Sequence, residues 1–405
     1  MSSKVYITGM GMISAIGNNV AESLHSLENM RSGIGELKYV RSRHKPLVPV
    51  GEVKKSTEEL MAMAGLKPDN LTTRTSLLGL IAAQEAVKSA GITNMKEFRT
   101  GIISATSVGG MDMTENHWLD YLNEDKTGPW LKYIETHECG DSTEFIADDL
   151  GIKDFLSTIS TACSSAANAI MFGARLIKHG KLDRVVVGGT DAMSRFTING
   201  FMTLMILDSE NCKPFDSQRR GLNLGEGAGY IVLESEKAAN GKEIYAELSG
   251  YGNSNDAYHQ TASSPDGAGA FMAMEKAFKV SGLKPSDIDY INAHGTGTEI
   301  NDLSEGTAID RIFEKNVPSI SSTKAYTGHT LAACAGIEAI FSVLAIKHNT
   351  VFPNLNYKHP MTALSFKPTT ELEKGKKIDH VLSNSFGFGG NTSALIFSRY
   401  KPVSQ

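Results

Sequence analysis

Cys163, His294, Lys324 and His329 are the side chains of this 405-residue sequence whose surroundings suit them to chemistry. Cys163 lies in Ser157–Ala174, STISTACSSAANAIMFGA, where a β-leaning run passes through small residues into an alanine-rich helical pattern. A cysteine at such a strand-to-helix turn sits beside the unpaired N–H groups and positive dipole end of the helix, which favours the nucleophilic thiolate. Ala162, Ser164 and Ser165 leave room for a substrate to approach. The same stretch taken alone reads equally well as a buried, inert thiol, because free cysteine is among the most buried residue types. His294 follows an apolar run in NAHGTGT, and His329 stands in TKAYTGHT at the start of a second small-residue helix. A lone histidine is usually a core residue satisfied by one hydrogen bond. Two of them in Gly-Thr settings, in a chain that also offers a helix-start cysteine, point to a shared site. A buried Lys324 needs a carboxylate, for which Asp302, Glu305 and Glu338 are the candidates, whereas at the surface its stem would lie along the protein.

These groups need elements that bring them together. The spacing predicts strands at Val5–Thr8, Gly101–Thr106, Asp183–Gly189 and Tyr230–Leu233 in the first part of the chain. Helices are expected over Asn19–Glu28 and Thr75–Ala90, and after Cys163. Residues 112–142 hold both tryptophans with little periodicity and read as an excursion covering another surface. After a polar break at 237–242 the pattern starts again: strand Ile244–Ser249, helix Gly269–Ser281, strand Ile288–Asn292, helix Asp302–Phe313, strand Ser319–Ser322 and the helix LAACAGIEAIFSVLAIKH. His380–Ser398 reads as strand, Gly-rich turn, strand. Alternation of strands and helices at this spacing indicates α/β architecture with buried sheets. STACSSAANAI can be laid over YTGHTLAACAGIEAI, and GIISATSVGG over YINAHGTGT, which implies a duplicated unit divided at residues 1–240 and 241–405. Two copies facing each other would gather their strand ends around one crevice, where ligands bind in such folds.

Composition closes off other classes. With 41% hydrophobic and 21% charged residues this is an ordinary globular chain, and a net charge of −5 offers no field for nucleic acid. No apolar run is expected to span a membrane, and MSSKVYITGMGMIS reads as a first strand rather than a signal peptide. The four cysteines are scattered with no CxxC pair, which argues against zinc and disulfides and fits a reducing cytoplasm. Cys139, Cys212 and Cys334 are read as structural, and His117, His137, His179 and His259 have no motif context. GEGAG at 225–229 precedes a strand and lacks the dinucleotide fingerprint, so it is not a cofactor loop.

Taken together, TACSS around Cys163, PFD at 214–216, GEGAG, NAHGTGT, SSTKAYTGHT and NSFGFGG at 384–390 resemble the β-ketoacyl-acyl carrier protein synthases of the thiolase superfamily. The similarity covers essentially the whole chain and is nearest to the elongating type, which uses Cys-His-His where initiating enzymes use Cys-His-Asn. The resemblance implies a five-layer α-β-α-β-α fold with two mixed sheets. It implies that Cys163 accepts an acyl group from acyl carrier protein, with the backbone N–H groups of Cys163 and Phe388 as oxyanion hole. His294 and His329 would hold the malonyl thioester carbonyl during loss of carbon dioxide, the helix start keeping His329 neutral. Lys324 would pair with Glu305 and orient the histidines, with Asp302 and Glu338 nearby. Thr261, Thr296 and Thr298 would bind the phosphopantetheine arm, Val108 and Phe201 line the acyl pocket, and Phe386 and Phe388 gate it. No metal and no cofactor beyond that carrier arm is implied.

Departures from the family pattern bear on specificity. Ala332-Ala333-Cys334-Ala335-Gly336 replaces Gly-Ala-Ala-Gly-Ala, Asn391-Thr392 inverts the usual Thr-Asn, and Met205 stands where an arginine is common. The expected function is decarboxylative condensation in fatty acid elongation. The alternative is a ketosynthase subunit of a polyene or polyketide pathway paired with a chain-length-factor-like subunit. A homodimer is implied by the family, a heterodimer by that alternative. Two further readings are a non-catalytic partner subunit, which the intact Cys163 argues against, and a thiolase-type enzyme acting on coenzyme A thioesters.

Overall fold

The structure is a computed structural model that describes residues 4–67, 71–314 and 316–402. The first half supplies strands β1 (Val5–Ser14), β2 (Thr100–Ala105), β3 (Phe155–Ile159), β4 (Arg184–Asp191) and β5 (Gly227–Ser235). The second supplies β6 (Ala246–Asn255), β7 (Tyr290–Asn292) and β8 (Ser319–Ser321), then a two-stranded sheet of β9 (Thr350–Val351) and β10 (Glu373–Lys374), and finally β11 (His380–Gly387) and β12 (Asn391–Ser398). The order across the main sheet is β3-β2-β4-β5-β1-β6-β12-β11-β7-β8. Counting strands from the start of each half and setting the small sheet aside, both halves read third-second-fourth-fifth-first toward the middle. The directions repeat too: β2 runs parallel to β3 and β4, β7 parallel to β8 and β11, and the remaining pairs within each half are antiparallel. The duplication faintly legible in sequence is thus complete in topology. The two mixed half-sheets meet where Tyr6 and Ile7 pair with Glu247 and Ala246, so they form one ten-stranded sheet.

Strand alternation sorts the side chains into three apolar cores. Val185 and Val187 of β4, Ile231 and Leu233 of β5, and Leu395 and Phe397 of β12 face a central core. Helices Ser165–Lys178 and Cys334–His348 fill it. Val186, Tyr230 and Val232 face outward onto helix Arg74–Ser89, while Ala394 and Ile396 face helices Ala268–Ser281 and Glu299–Phe313. Helix, sheet, helix pair, sheet, helix: the five layers follow from period-2 strands with both faces covered. The Leu331–His348 segment does reach the length and apolarity of a membrane span, contrary to expectation, and it is 89% buried inside the protein. A helix that is apolar all round belongs in such an interior.

Two expectations need correcting. The GEGAG glycines lie within or against β5, which begins at Gly227. A Cβ on Gly336 would stand 2.3 Å from the Gly229 carbonyl oxygen, and one on Gly229 2.5 Å from the Ile337 nitrogen. The motif is therefore where strand and central helix touch backbone to backbone. Residues 112–142 fold into helix Met111–Leu122, a 3₁₀ stretch Leu131–His137 and the start of helix Cys139–Leu150. They cover less than expected, for Trp118, Leu119, Leu122, Trp130 and Ile134 are exposed.

Candidate active site

Each predicted group sits just past the end of a strand, at matching places in the two halves. After β3 the chain turns through Ala162, held at φ 52°, and passes Ser164, whose side chain makes no capping bond, into the helix that starts at Ser165. The turn is knitted by Ser165 Oγ, which accepts from the Thr161 N–H at 2.8 Å. After β8 the chain makes one helical turn, Lys324–Thr327, passes Gly328 at φ 71° and reaches His329. A 3₁₀ turn, Leu331–Ala333, intervenes before the helix proper begins at Cys334, so His329 stands five residues ahead of that helix rather than at its start. His294 follows β7.

One cavity of about 340 Å³ gathers Cys163, His294 and His329 with Thr261, Thr296, Thr298, Phe201, Phe386 and Phe388. Val108 is not on its wall; like Phe201 it packs against the cluster of Leu37, Val50 and Leu224. Met205, Ile206, Arg220, Leu222 and Ile300 also line the cavity. Met205 was marked by the arginine it replaces; the other four were not singled out from sequence, because nothing in their local pattern marks an inward face. Phe388 stacks on Phe201, centroids 5.9 Å apart, and Phe386 packs against the His294 ring at 5.6 Å. Gly387 is required between them, since a Cβ there would stand 3.0 Å from the Cys163 nitrogen.

The two imidazoles are T-shaped, centroids 5.4 Å apart. His329 Nδ1 accepts from the Leu331 N–H at 3.0 Å, and His294 Nδ1 faces the Lys324 ammonium at 3.1 Å. With a donor at each Nδ1, both rings carry their proton on Nε2. Burial pushes His329 down to about 3 and His294 well below its ordinary value, with Lys324 adding to both. The neutrality of His329 therefore comes from burial and the lysine, not from a helix start.

Lys324 pairs with Glu338 at 2.6 Å, not with Glu305. Glu305 instead accepts from the N–H groups of His294 and Gly295 at 2.9 and 2.8 Å and from Asn384 at 3.1 Å, and burial lifts its carboxyl to about 7. Asp302 accepts from the N–H groups of Phe215 and Gly297. Both carboxylates thus hold the NAHGTGT turn, and of the three candidates it is Glu338 that holds the lysine. His294, Cys334 and Glu338 come within 4.8 Å of one another, a grouping able to ligate a metal, but the Lys324 ammonium already bonds two of the three. Removing Glu338 leaves that ammonium buried without its counter-charge. Glu338→Ala is expected to cost about 3–5 kcal/mol, checked by urea unfolding of both proteins.

Cys163 is only 7% exposed, and burial raises its thiol to about 12 despite Lys324 and the Phe388 N–H beside it. The resting nucleophile is thus a thiol, since burial outweighs the helix start, one residue beyond at the Ser164 N-cap, that was expected to ionise it. Alkylation of Cys163 by iodoacetamide should still climb with each unit of pH up to pH 9. A plateau by pH 7 would contradict this state. The inverted Asn391 has found a use of its own: its Oδ1 accepts from Ser164 Oγ at 2.7 Å, Asn253 Nδ2 at 2.9 Å and Asn168 Nδ2 at 3.0 Å. The outgoing side of the Phe388 turn is thereby tied to the Cys163 helix.

Residues 2–239 match the family described as β-ketoacyl synthase, N-terminal domain, and residues 245–358 its C-terminal domain. The chain is 33% identical over 412 residues to 3-oxoacyl-[acyl-carrier-protein] synthase 2 of Staphylococcus aureus, covering 98% of this chain and 99% of that one. It is 33% identical over 415 residues to the enzyme of the same name from Synechocystis sp., with 98% of each covered. Among solved structures, the ishigamide ketosynthase/chain length factor superposes with a TM-score of 0.93 at 29% identity, covering 99% of this chain and 100% of that one. The ketosynthase ApeO of Xenorhabdus doucetiae, solved in complex with its chain length factor ApeC, gives 0.86 at 31% identity and 98% of each chain.

Proposed function

Because the chain belongs to the β-ketoacyl synthase family, acyltransferases that build β-ketoacyl thioesters, we propose that Cys163 is the residue that carries the acyl group and His294 and His329 are the pair that drives decarboxylation. The observation that carries this is the pair of neutral imidazoles, both offering Nε2–H into the cavity that holds the thiol. Cys163 sulfur attacks the thioester of an acyl-carrier protein. The acyl carbon gains a C–S bond to Cys163, and the carrier leaves as its free thiol. The N–H groups of Cys163 and Phe388 face the oxygen that becomes negative in that step.

A malonyl-carrier protein then enters along Thr261, Thr296 and Thr298, whose hydroxyls suit the amide-rich phosphopantetheine arm. Its thioester oxygen accepts from both Nε2–H groups, so the electron pair released with carbon dioxide is delocalised into an enolate they stabilise. The enolate carbon attacks the acyl-Cys163 carbonyl, the C–S bond breaks to release the Cys163 thiolate, which takes a proton from solvent to restore the thiol, and the product leaves two carbons longer. The test is mass spectrometry of Cys163 and of carrier-protein products, using a panel of acyl primers on carrier protein and on coenzyme A. Acylation from carrier protein is the expected result, and preference for coenzyme A thioesters would favour the thiolase-type reading.

A second reading concerns the pathway. The likeness to two ketosynthases that work with chain length factors, and the exposed Trp118, Leu119, Leu122 and Trp130, favour a ketosynthase subunit joined to a homologous partner in polyene or polyketide assembly. The fatty-acid reading pairs two copies of this chain instead. Sedimentation of the purified chain, with condensation assayed in the same sample, separates the two: an active dimer fits self-pairing, an inactive monomer fits the heterologous partner.

A further inference from the structure

We propose that Asp191 is a positioning residue for the decarboxylation step, bracing the turn that fixes the tautomer of His329. The inference rests on the reading of His329 as a donor through Nε2–H. Asp191 is the last residue of β4, fully buried and outside the cavity wall. Its Oδ1 accepts from Thr106 Oγ1 at 2.5 Å, Ser107 N–H at 3.0 Å and Val108 N–H at 3.2 Å. Its Oδ2 accepts from Ala332 N–H at 2.8 Å and again from Ser107 at 3.2 Å. The carboxylate therefore joins the turn after β2, in the first half, to the 3₁₀ turn after His329, in the second.

That second turn is strained. Leu331 sits at φ 53°, a left-handed conformation that side chains other than asparagine and aspartate adopt only against steric strain. The Leu331 N–H points back to His329 Nδ1, and the left-handed turn at Leu331 redirects the chain so that the next N–H, that of Ala332, points to Asp191. Two consecutive amides thus have opposite clients. Losing the Asp191 contact frees the turn to relax, and with it goes the donor that keeps the proton off Nδ1. A ring protonated on Nδ1 would present a bare Nε2 to the enolate oxygen, a lone pair where a donor is needed.

Asp191→Asn is nearly isosteric and makes the prediction sharp. Three donors converge on the Oδ1 side and would hold the amide oxygen there, which leaves the NH₂ facing the Ala332 N–H, donor against donor. Nitrogen-15 spectra of histidine-labelled protein, with His329 assigned from the His329→Asn variant, read the tautomer directly. The wild-type ring should be almost wholly Nε2–H, and Asp191→Asn should show a substantial Nδ1–H population. Malonyl-carrier decarboxylation should fall about 10- to 100-fold. Acylation of Cys163 should stay within about threefold, because that step uses the Cys163 and Phe388 amides instead. Thr106→Val, which loosens only the Oδ1 side, should leave tautomer and decarboxylation unchanged. A mixed tautomer in the wild type, an unshifted tautomer in Asp191→Asn, equal losses of acylation and decarboxylation, or an equal effect of Thr106→Val would each overturn the proposal. If Asp191→Asn is recovered unfolded, Asp191→Ser, which also removes Oδ2, is put through the same measurements. If decarboxylation proves insensitive to His329 itself, the reading of the histidines has failed rather than the brace.

Discussion

Cys163→Gln is expected to abolish condensation while malonyl-carrier decarboxylation continues. Deleting the nucleophile removes the only covalent anchor for the acyl chain, so the loss should be at least about 10³-fold. The glutamine carboxamide places a carbonyl within reach of the Cys163 and Phe388 N–H groups, the position an acyl-Cys163 carbonyl would take. The cavity then resembles the acylated state, with His294 and His329 untouched. Cys163→Ala supplies the complementary measurement: incubated with acyl-carrier protein and analysed by mass spectrometry, it should take up no acyl group. An acylated Cys163→Ala protein would remove Cys163 from the centre of the chemistry.

His294→Ala and His329→Ala are each expected to lower decarboxylation about 10²- to 10³-fold, the usual loss when one of two oxyanion donors is removed. The double variant should lose little more, because the two rings act on one oxygen. The pH dependence has a definite sign. Both imidazoles are held below their ordinary values, His329 at about 3, so lowering the pH from 8 to 5 leaves them neutral and competent. Decarboxylation should therefore show no acid limb at the ordinary histidine value near 6.5. Burial lifts the Asp191 carboxyl to about 6, and its protonation would act through His329, so only a limb that persisted in Asp191→Asn and vanished in His329→Asn would show that the ring titrates after all. A limb near 7 that survives in that variant belongs instead to Glu305, whose protonation would weaken its grip on the His294 and Gly295 N–H groups.

What the sequence revealed and what it hid follow a physical line. Apolar runs such as Ile102–Ile103 and Val185–Val187 name their strands directly, because strands covered on both faces cannot be anything but apolar. The helix Arg74–Ser89 was legible from its spacing, one residue off at each end, while its Thr73 cap was not read. Cys163, His294 and His329 stand out because small residues flank them and strain their turns. Lys324 was found but given the wrong partner, since Glu305 and Glu338 lie at similar distances along the chain and only the fold decides between them. Asp191 was invisible: a carboxylate at a strand end looks like any solvated one until its five hydrogen bonds are traced. The thiol state of Cys163 was likewise misread, because local sequence reports a helix dipole but not the depth at which the sulfur lies.

The place of β1 at the middle of the sheet has a consequence for how the chain is made. β1 leaves the ribosome before the other strands described, yet its partners are β5, some 220 residues later, and β6. At about 5–20 residues per second, tens of seconds pass before β5 is synthesised. Throughout that interval Val5, Ile7, Met10 and Met12 have no strand beside them. Helix Arg74–Ser89, which packs on β1 in the finished protein, emerges much earlier and can shelter only the opposite face. The nascent chain therefore carries an unpaired apolar strand through most of its translation, an aggregation-exposed state of the kind chaperones recognise. Sheet closure, and with it the meeting of Cys163 with His294 and His329, must be a late event in biogenesis.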